Sequence, residues 1–250
     1  MKENEQDQTS QFIDLNFAPH DQDDVLRDVE GRAPLASFAY IVTPNVDHVV
    51  RLQHDRSDLW PMYRLAWLTL CDSRILGRLA RRVGLRLPVV PGSDLTVAMF
   101  RRIIRPDDAI TVIGGSPAMV ESLRRLFGLT RLLHHNPPMG FIQDAAATQD
   151  AVDFAIAAQA RYTFLAVGSP QQEILAYRIA RTGRASGVGL CVGASLLFLT
   201  QAQRRAPAIV QRLGMEWLFR LLSDPLRLWR RYLVEGPLIF AILREWRLRQ

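Results

Sequence analysis

Long apolar runs, cysteine and lysine are what this 250-residue chain has least of. No stretch approaches the roughly 18 apolar residues a membrane-spanning helix needs, and the longest candidate, Val188 to Leu199, is interrupted by glycine. Cys71 and Cys191 are the only cysteines, each inside an apolar run, which argues against a disulfide framework or a zinc site and for two core thiols in a reducing compartment. The N-terminus carries no basic segment followed by an apolar stretch, so no secretory signal is expected there. G-x-S-x-G, Walker A and H-E-x-x-H patterns are missing. His134-His135 has no companion Asp, Glu, His or Cys at ligand spacing, so neither a metal nor a cofactor is expected.

What is present is enough apolar content, 48%, to bury a full core. Charge is unevenly placed. Residues 1 to 31 hold nine acids against Lys2 and Arg27, a net −7, and residues 1–34 read as an acidic mobile tail. Asp21-Gln22-Asp23 in that tail resembles a metal-binding D-x-D, but no strand precedes it and we read it as chance. Residues 204 to 250 carry ten arginines against four acids, a net +6, amid Leu, Trp and Phe. Every basic residue but Lys2 is arginine. Such an end suits phosphates or an anionic membrane surface, and nucleic acid is not an expected partner.

Short apolar runs alternate with helical patterns across residues 35–205, separated by Gly, Ser and Pro. The predicted strands are Phe38 to Val42, the run ending at Cys71, Leu87 to Val90, Ala109 to Ile113, Arg131 to His134, Thr163 to Val167 and Gly187 to Val192. Helices are expected between them, from Val46 to His54 and from Gln171 to Arg181 among others. This order predicts an α/β fold: a Rossmann-like, mostly parallel sheet with helices on both faces. Residues 206–250 read as helix only, a basic amphipathic appendage that either lies on lipid or caps the sheet.

The chemistry should sit at strand ends. Leu65 to Cys71 is an apolar run that stops on Asp72, a position from which a carboxylate serves either as a helix N-cap or as a general base. Thr43-Pro44-Asn45, Gly92-Ser93-Asp94, Gly114-Gly115-Ser116-Pro117 and Gly168-Ser169-Pro170 each separate a strand from a helix. Glycine turns and helix N-termini of this kind accept phosphate, and several on one sheet edge suggest a nucleotide diphosphate. Gly187 to Gly193 has the wrong spacing for a dinucleotide fingerprint, which weakens a nicotinamide-dependent oxidoreductase reading.

Taken together, these turns, Pro137-Pro138-Met139-Gly140-Phe141, Gln171-Gln172-Glu173, Arg205-Ala206-Pro207 and the run Glu216 to Arg220 with Asp224-Pro225, Arg227 and Arg230-Arg231-Tyr232 resemble the WecG/TagA/CpsF glycosyltransferases, glycosyltransferase family 26. The resemblance implies inverting, metal-independent transfer of a sugar from a UDP-sugar to a polyprenyl-diphosphate-linked saccharide in exopolysaccharide or cell-envelope synthesis. It implies a peripheral location on the cytoplasmic face of the cell membrane. Asp72 matches the proposed base, and Thr43, Asn45 and Gln172 match pocket residues. Gly92, Asp94, Gly114, Gly115, Gly168, Pro170 and Glu173 belong to the matching turns. Arg205, Arg220, Arg227, Arg230 and Arg231 fall in the matching basic segment, whose arginines are thought to reach the diphosphate. Leu197 stands where family members often have Asp, and Gln171 where Lys is common. A non-catalytic envelope-assembly partner is the alternative that Leu197 motivates, and apolar surface on the appendage leaves a homo-oligomer open.

Overall fold

The computed structural model describes residues 9–200, 210 and 215–250. A hairpin, β1 (Ser10–Phe12) and β2 (Leu15–Phe17), leads to α1 (Gln22–Gly31), β3 (Ala39–Val42), α2 (Val46–His54), α3 (Trp60–Arg64), β4 (Leu68–Thr69), α4 (Arg74–Arg82) and α5 (Gly92–Arg102). Then follow β5 (Ala109–Gly114), α6 (Pro117–Phe127), β6 (Arg131–His135), α7 (Ala145–Ala158), β7 (Tyr162–Ala166), α8 (Gln171–Thr182), β8 (Val188–Cys191) and α9 (Ser195–Leu199). The basic end forms α10 (Glu216–Ser223), α11 (Pro225–Trp229), a π-helical turn (Arg230–Glu235) and α12 (Leu238–Leu248).

Six strands form one sheet in the order β4-β3-β8-β7-β5-β6, every neighbouring pair parallel. Side chains alternate across it, as strand geometry requires. Tyr40, Val42, Ile113, Leu165 and Cys191 enter one apolar layer with α2, α4, α7 and α8, while Ile41, Ile110, Val112, Phe164 and Leu190 enter the other with α1, α5 and α6. Both faces are covered, so the inner strands β3, β5, β7 and β8 are mostly apolar, while the edge strand β6 carries Arg131, His134 and His135.

Two expectations need correction. Leu87 to Val90 forms no strand; a single bridge joins Val89 to Cys71. Pro88 has no N–H to extend a ladder, and only the Val90 amide reaches across, to the Cys71 carbonyl at 2.9 Å. Residues 10–31 are not a mobile tail. Phe12, Ile13, Leu15 and Phe17 are buried in the layer shared with α2, and Val25, Leu26 and Val29 of α1 in the other. The net charge concealed these few apolar residues. Several of the acids serve the helix: Asp21 is the N-cap of α1, its carboxylate accepting the Asp23 and Asp24 amides, and Asp24 returns the bond in a capping box. The first member of the D-x-D is therefore a cap.

The basic end divides. Ile239, Ile242, Leu243 and Trp246 of α12 are buried against the hairpin layer. Leu222, Leu226, Trp229, Leu233 and Val234, in α10, α11 and the π-helical turn, are exposed, as is Phe240 on the outer face of α12. Among the described residues no helix is long and apolar enough to cross a membrane.

Candidate active site

All six strands point the same way, so their carboxyl ends share one edge. The helices that follow β3 and β7 pack on one face, whereas α6, after β5, and α9, after β8, pack on the other. Loops that part to opposite faces leave a crevice between them, the usual ligand position of an open α/β sheet.

Asp72 lies at this edge, half-buried, beside the turn after β3: its backbone amide donates to the Pro44 carbonyl at 3.1 Å. It is not the cap of α4. That place belongs to Ser73, whose Oγ accepts the Leu76 amide at 3.3 Å. Gly92 comes to the same point. A Cβ built on it would stand 2.7 Å from Thr43 Oγ1, too close for an unshifted structure. Thr43, Asn45, Asp72 and Gly92 are thus brought together, with Asp94 in the first turn of α5. Asn45 caps α2: its Oδ1 accepts the Asp47 and His48 amides at 3.0 and 3.4 Å.

The second group of turns lies across the sheet. Gly114 ends β5 with φ +94°, a conformation that disfavours any side chain, and a Cβ there would meet the Ala166 backbone at 2.8 Å. Gly115 follows with φ +76°, and the Gly114 carbonyl lies 3.1 Å from His134 Nε2. Gly168, at φ +79°, precedes the cis Ser169–Pro170 peptide that opens α8. Gln172 fastens this turn to the end of β8, its Nε2 donating to Glu173 Oε1 at 2.9 Å while its Oε1 accepts the Gly193 amide at 2.8 Å.

Beneath the edge sits a buried polar pair. Glu173 Oε1 is 3.8 Å from His48 Nε2, and Glu173 Oε2 has no hydrogen-bond partner. Burial raises the Glu173 carboxyl above its ordinary value, opposed by the bond from Gln172. Burial likewise pulls the His48 imidazole down to about 3, opposed by Asp47. A neutral imidazole therefore faces a carboxyl whose charge is disfavoured.

Among the arginines of the basic end, Arg227 pairs with Asp224 at 2.5 Å and Arg230 with Glu235 at 3.3 Å. Arg231 reaches the sheet edge, 3.1 Å from Asp47. Arg220 lies on α10, and Arg205 lies outside the described residues. Asp47, His48 and Arg51 are not singled out from sequence, and Ser169 enters only as part of the Gly168-Ser169-Pro170 turn. The i,i+4 spacing of Asp47 and Arg51 on α2 was a readable signal, but their partners come from far along the chain.

Leu197, on α9, is half-buried and packs against the apolar layer that holds Leu196. Among the described residues no three His, Cys, Asp or Glu side chains are grouped to hold a metal ion.

A carboxylate, a hydroxyl, glycine turns and helix starts on one crevice suit the binding of an anionic diphosphate next to a base. The model of the glycosyl transferase WecG/TagA/CpsF family matches residues 10–250, essentially the whole chain from the hairpin to α12, and the protein belongs to that family.

Proposed function

We propose that this glycosyltransferase moves one sugar, with inversion and without a metal ion, from a UDP-sugar to a polyprenyl-diphosphate-linked saccharide of exopolysaccharide or envelope synthesis. The observation that carries the reading is the place of Asp72: at the crevice edge beside Thr43 and Gly92, with the capping of α4 left to Ser73. In the reaction, Asp72 takes the proton of the acceptor hydroxyl as that oxygen attacks the anomeric carbon from the side opposite the leaving group. The bond from that carbon to the diphosphate oxygen breaks, and the nucleoside diphosphate leaves with the electron pair. A positioned base contributes typically 10²–10⁴-fold. The amides at the starts of α5, α6 and α8 and the arginines of the basic end, Arg205, Arg220, Arg227 and Arg230, oppose the growing negative charge.

The membrane enters through the exposed Leu222, Leu226, Trp229, Leu233 and Phe240 with their neighbouring arginines, a composition suited to the interface of an anionic bilayer. The same surface suits a second copy of the chain, which light scattering in the absence of lipid would detect. A purified-protein assay with UDP-sugars and a polyprenyl-diphosphate saccharide, run with EDTA, tests the whole reading. Transfer lost in Asp72→Asn and insensitive to EDTA is the expected result. A second reading, a non-catalytic assembly partner, draws on Leu197, apolar where relatives often carry Asp; absence of transfer and of UDP binding in the wild-type protein would favour it.

A further inference from the structure

One carboxylate oxygen joins three parts of this molecule. Asp47 Oδ2 accepts Arg51 Nη2 at 2.5 Å and forms an ion pair with Arg231, whose Nη2 lies 3.1 Å away. Arg51 in turn donates through Nη1 to Ser169 Oγ at 3.1 Å. Asp47 belongs to the first turn of α2, two residues beyond Asn45; Ser169 belongs to the glycine turn before α8; Arg231 belongs to the π-helical turn of the basic end. The Asp47 side chain is only 16% exposed, so both pairs are partly shielded from water and from salt.

Arg231 differs in this from its neighbours. Arg227 and Arg230 find their acids three and five residues away, in the same segment, and so do nothing to fix where that segment lies. The Arg231 pair crosses from the basic end to the sheet. Its partner also holds the guanidinium that braces the turn before α8.

We propose that Asp47 is a positioning residue that seats the arginine-bearing segment over the crevice, with Arg231 as the counterpart it grips and Arg51 as the brace that fixes the carboxylate. Arg231 then acts through Asp47, while Arg227 and Arg230 are carried into place by it. The catalytic consequence rests on the transferase reading above; the seating itself does not.

The test is a double-mutant cycle on the full chain with Asp47→Asn, Arg231→Gln and the pair, read first by hydrogen exchange. Each single variant should speed exchange across residues 216–235 about tenfold, as loss of a partly shielded ion pair predicts, with the strands β5 and β7 unchanged. The double variant should go no further than either single one. Asp47→Glu should recover much of the protection. In transfer assays the single variants should raise the acceptor KM while leaving the donor KM in place. Unchanged exchange in Asp47→Asn, or additive effects in the pair, would overturn the proposal. Wild-type protein with no transfer activity would sink the transferase reading, and the exchange cycle would still decide the seating.

Discussion

The rings of Phe12 and Trp246 meet edge to face with centroids 5.6 Å apart. The hairpin at one end of the chain and α12 at the other are thereby one packing unit, reinforced by an ion pair between Asp14 and Arg249 at 3.0 Å. Trp246→Ala should cost about 3–5 kcal/mol of stability, the range for removing a buried indole. Chemical denaturation measures it. Deleting all of residues 206–250 would uncover this apolar layer, so loss of activity in such a truncation would report misfolding rather than membrane contact.

Membrane contact is better tested on the exposed side of the basic end. Replacing Leu226, Trp229 and Leu233 together by Ser should weaken sedimentation with anionic vesicles at least tenfold, by removing apolar area from the interface, while the melting temperature moves little. Undiminished vesicle binding would assign that surface to another role.

Asp72 and Ser73 should separate chemistry from folding. Asp72→Asn is expected to lower transfer by a factor of roughly 10²–10⁴ with a near wild-type melting temperature. Ser73→Ala should do the opposite, costing about 1 kcal/mol of stability through the lost cap and leaving transfer largely intact. Parallel kinetics and thermal melts distinguish the two.

Acid should destabilise the fold through His48. Its folded-state value, pulled down to about 3, lies below the ordinary 6.5, so between these values the unfolded chain binds the additional proton. Stability contributed by the neutral ring is complete above pH 6.5 and declines as pH falls towards 3. Glu173 runs the other way: its raised value makes its contribution full below about 4.5 and lost as pH rises through the folded value. Urea melts from pH 7 to pH 4 should show the acid-side loss, and His48→Gln should flatten it.

The sheet was readable from sequence because its inner strands are short, mostly apolar runs buried on both faces and closed by a polar or glycine turn; Ile110 to Gly114 shows this plainly. α2 runs over the residues expected, Val46 to His54, because Asn45 marks its start. Charge misled at the N-terminus, where nine acids masked the few apolar residues that bury the hairpin and α1, two of those acids serving as the cap of α1. The turns at the crevice were visible because they carry glycine and small polar residues between a strand and a helix. The His48–Glu173 pair and the Asp47–Arg231 link were not, since local pattern carries no information about partners more than a hundred residues away.

The burial of α12 bears on how the arginines work. Their segment stands between α9, anchored at Leu196, and α12, anchored at Trp246, so it is tied to the core on either side. Lifting from the crevice and returning are then intramolecular events. The return is governed by an effective concentration set by the length of the tethered segment, and the cost of closing a loop grows only logarithmically with its length. An enzyme built this way can release its product and re-form its site without recruiting its own cations from solution.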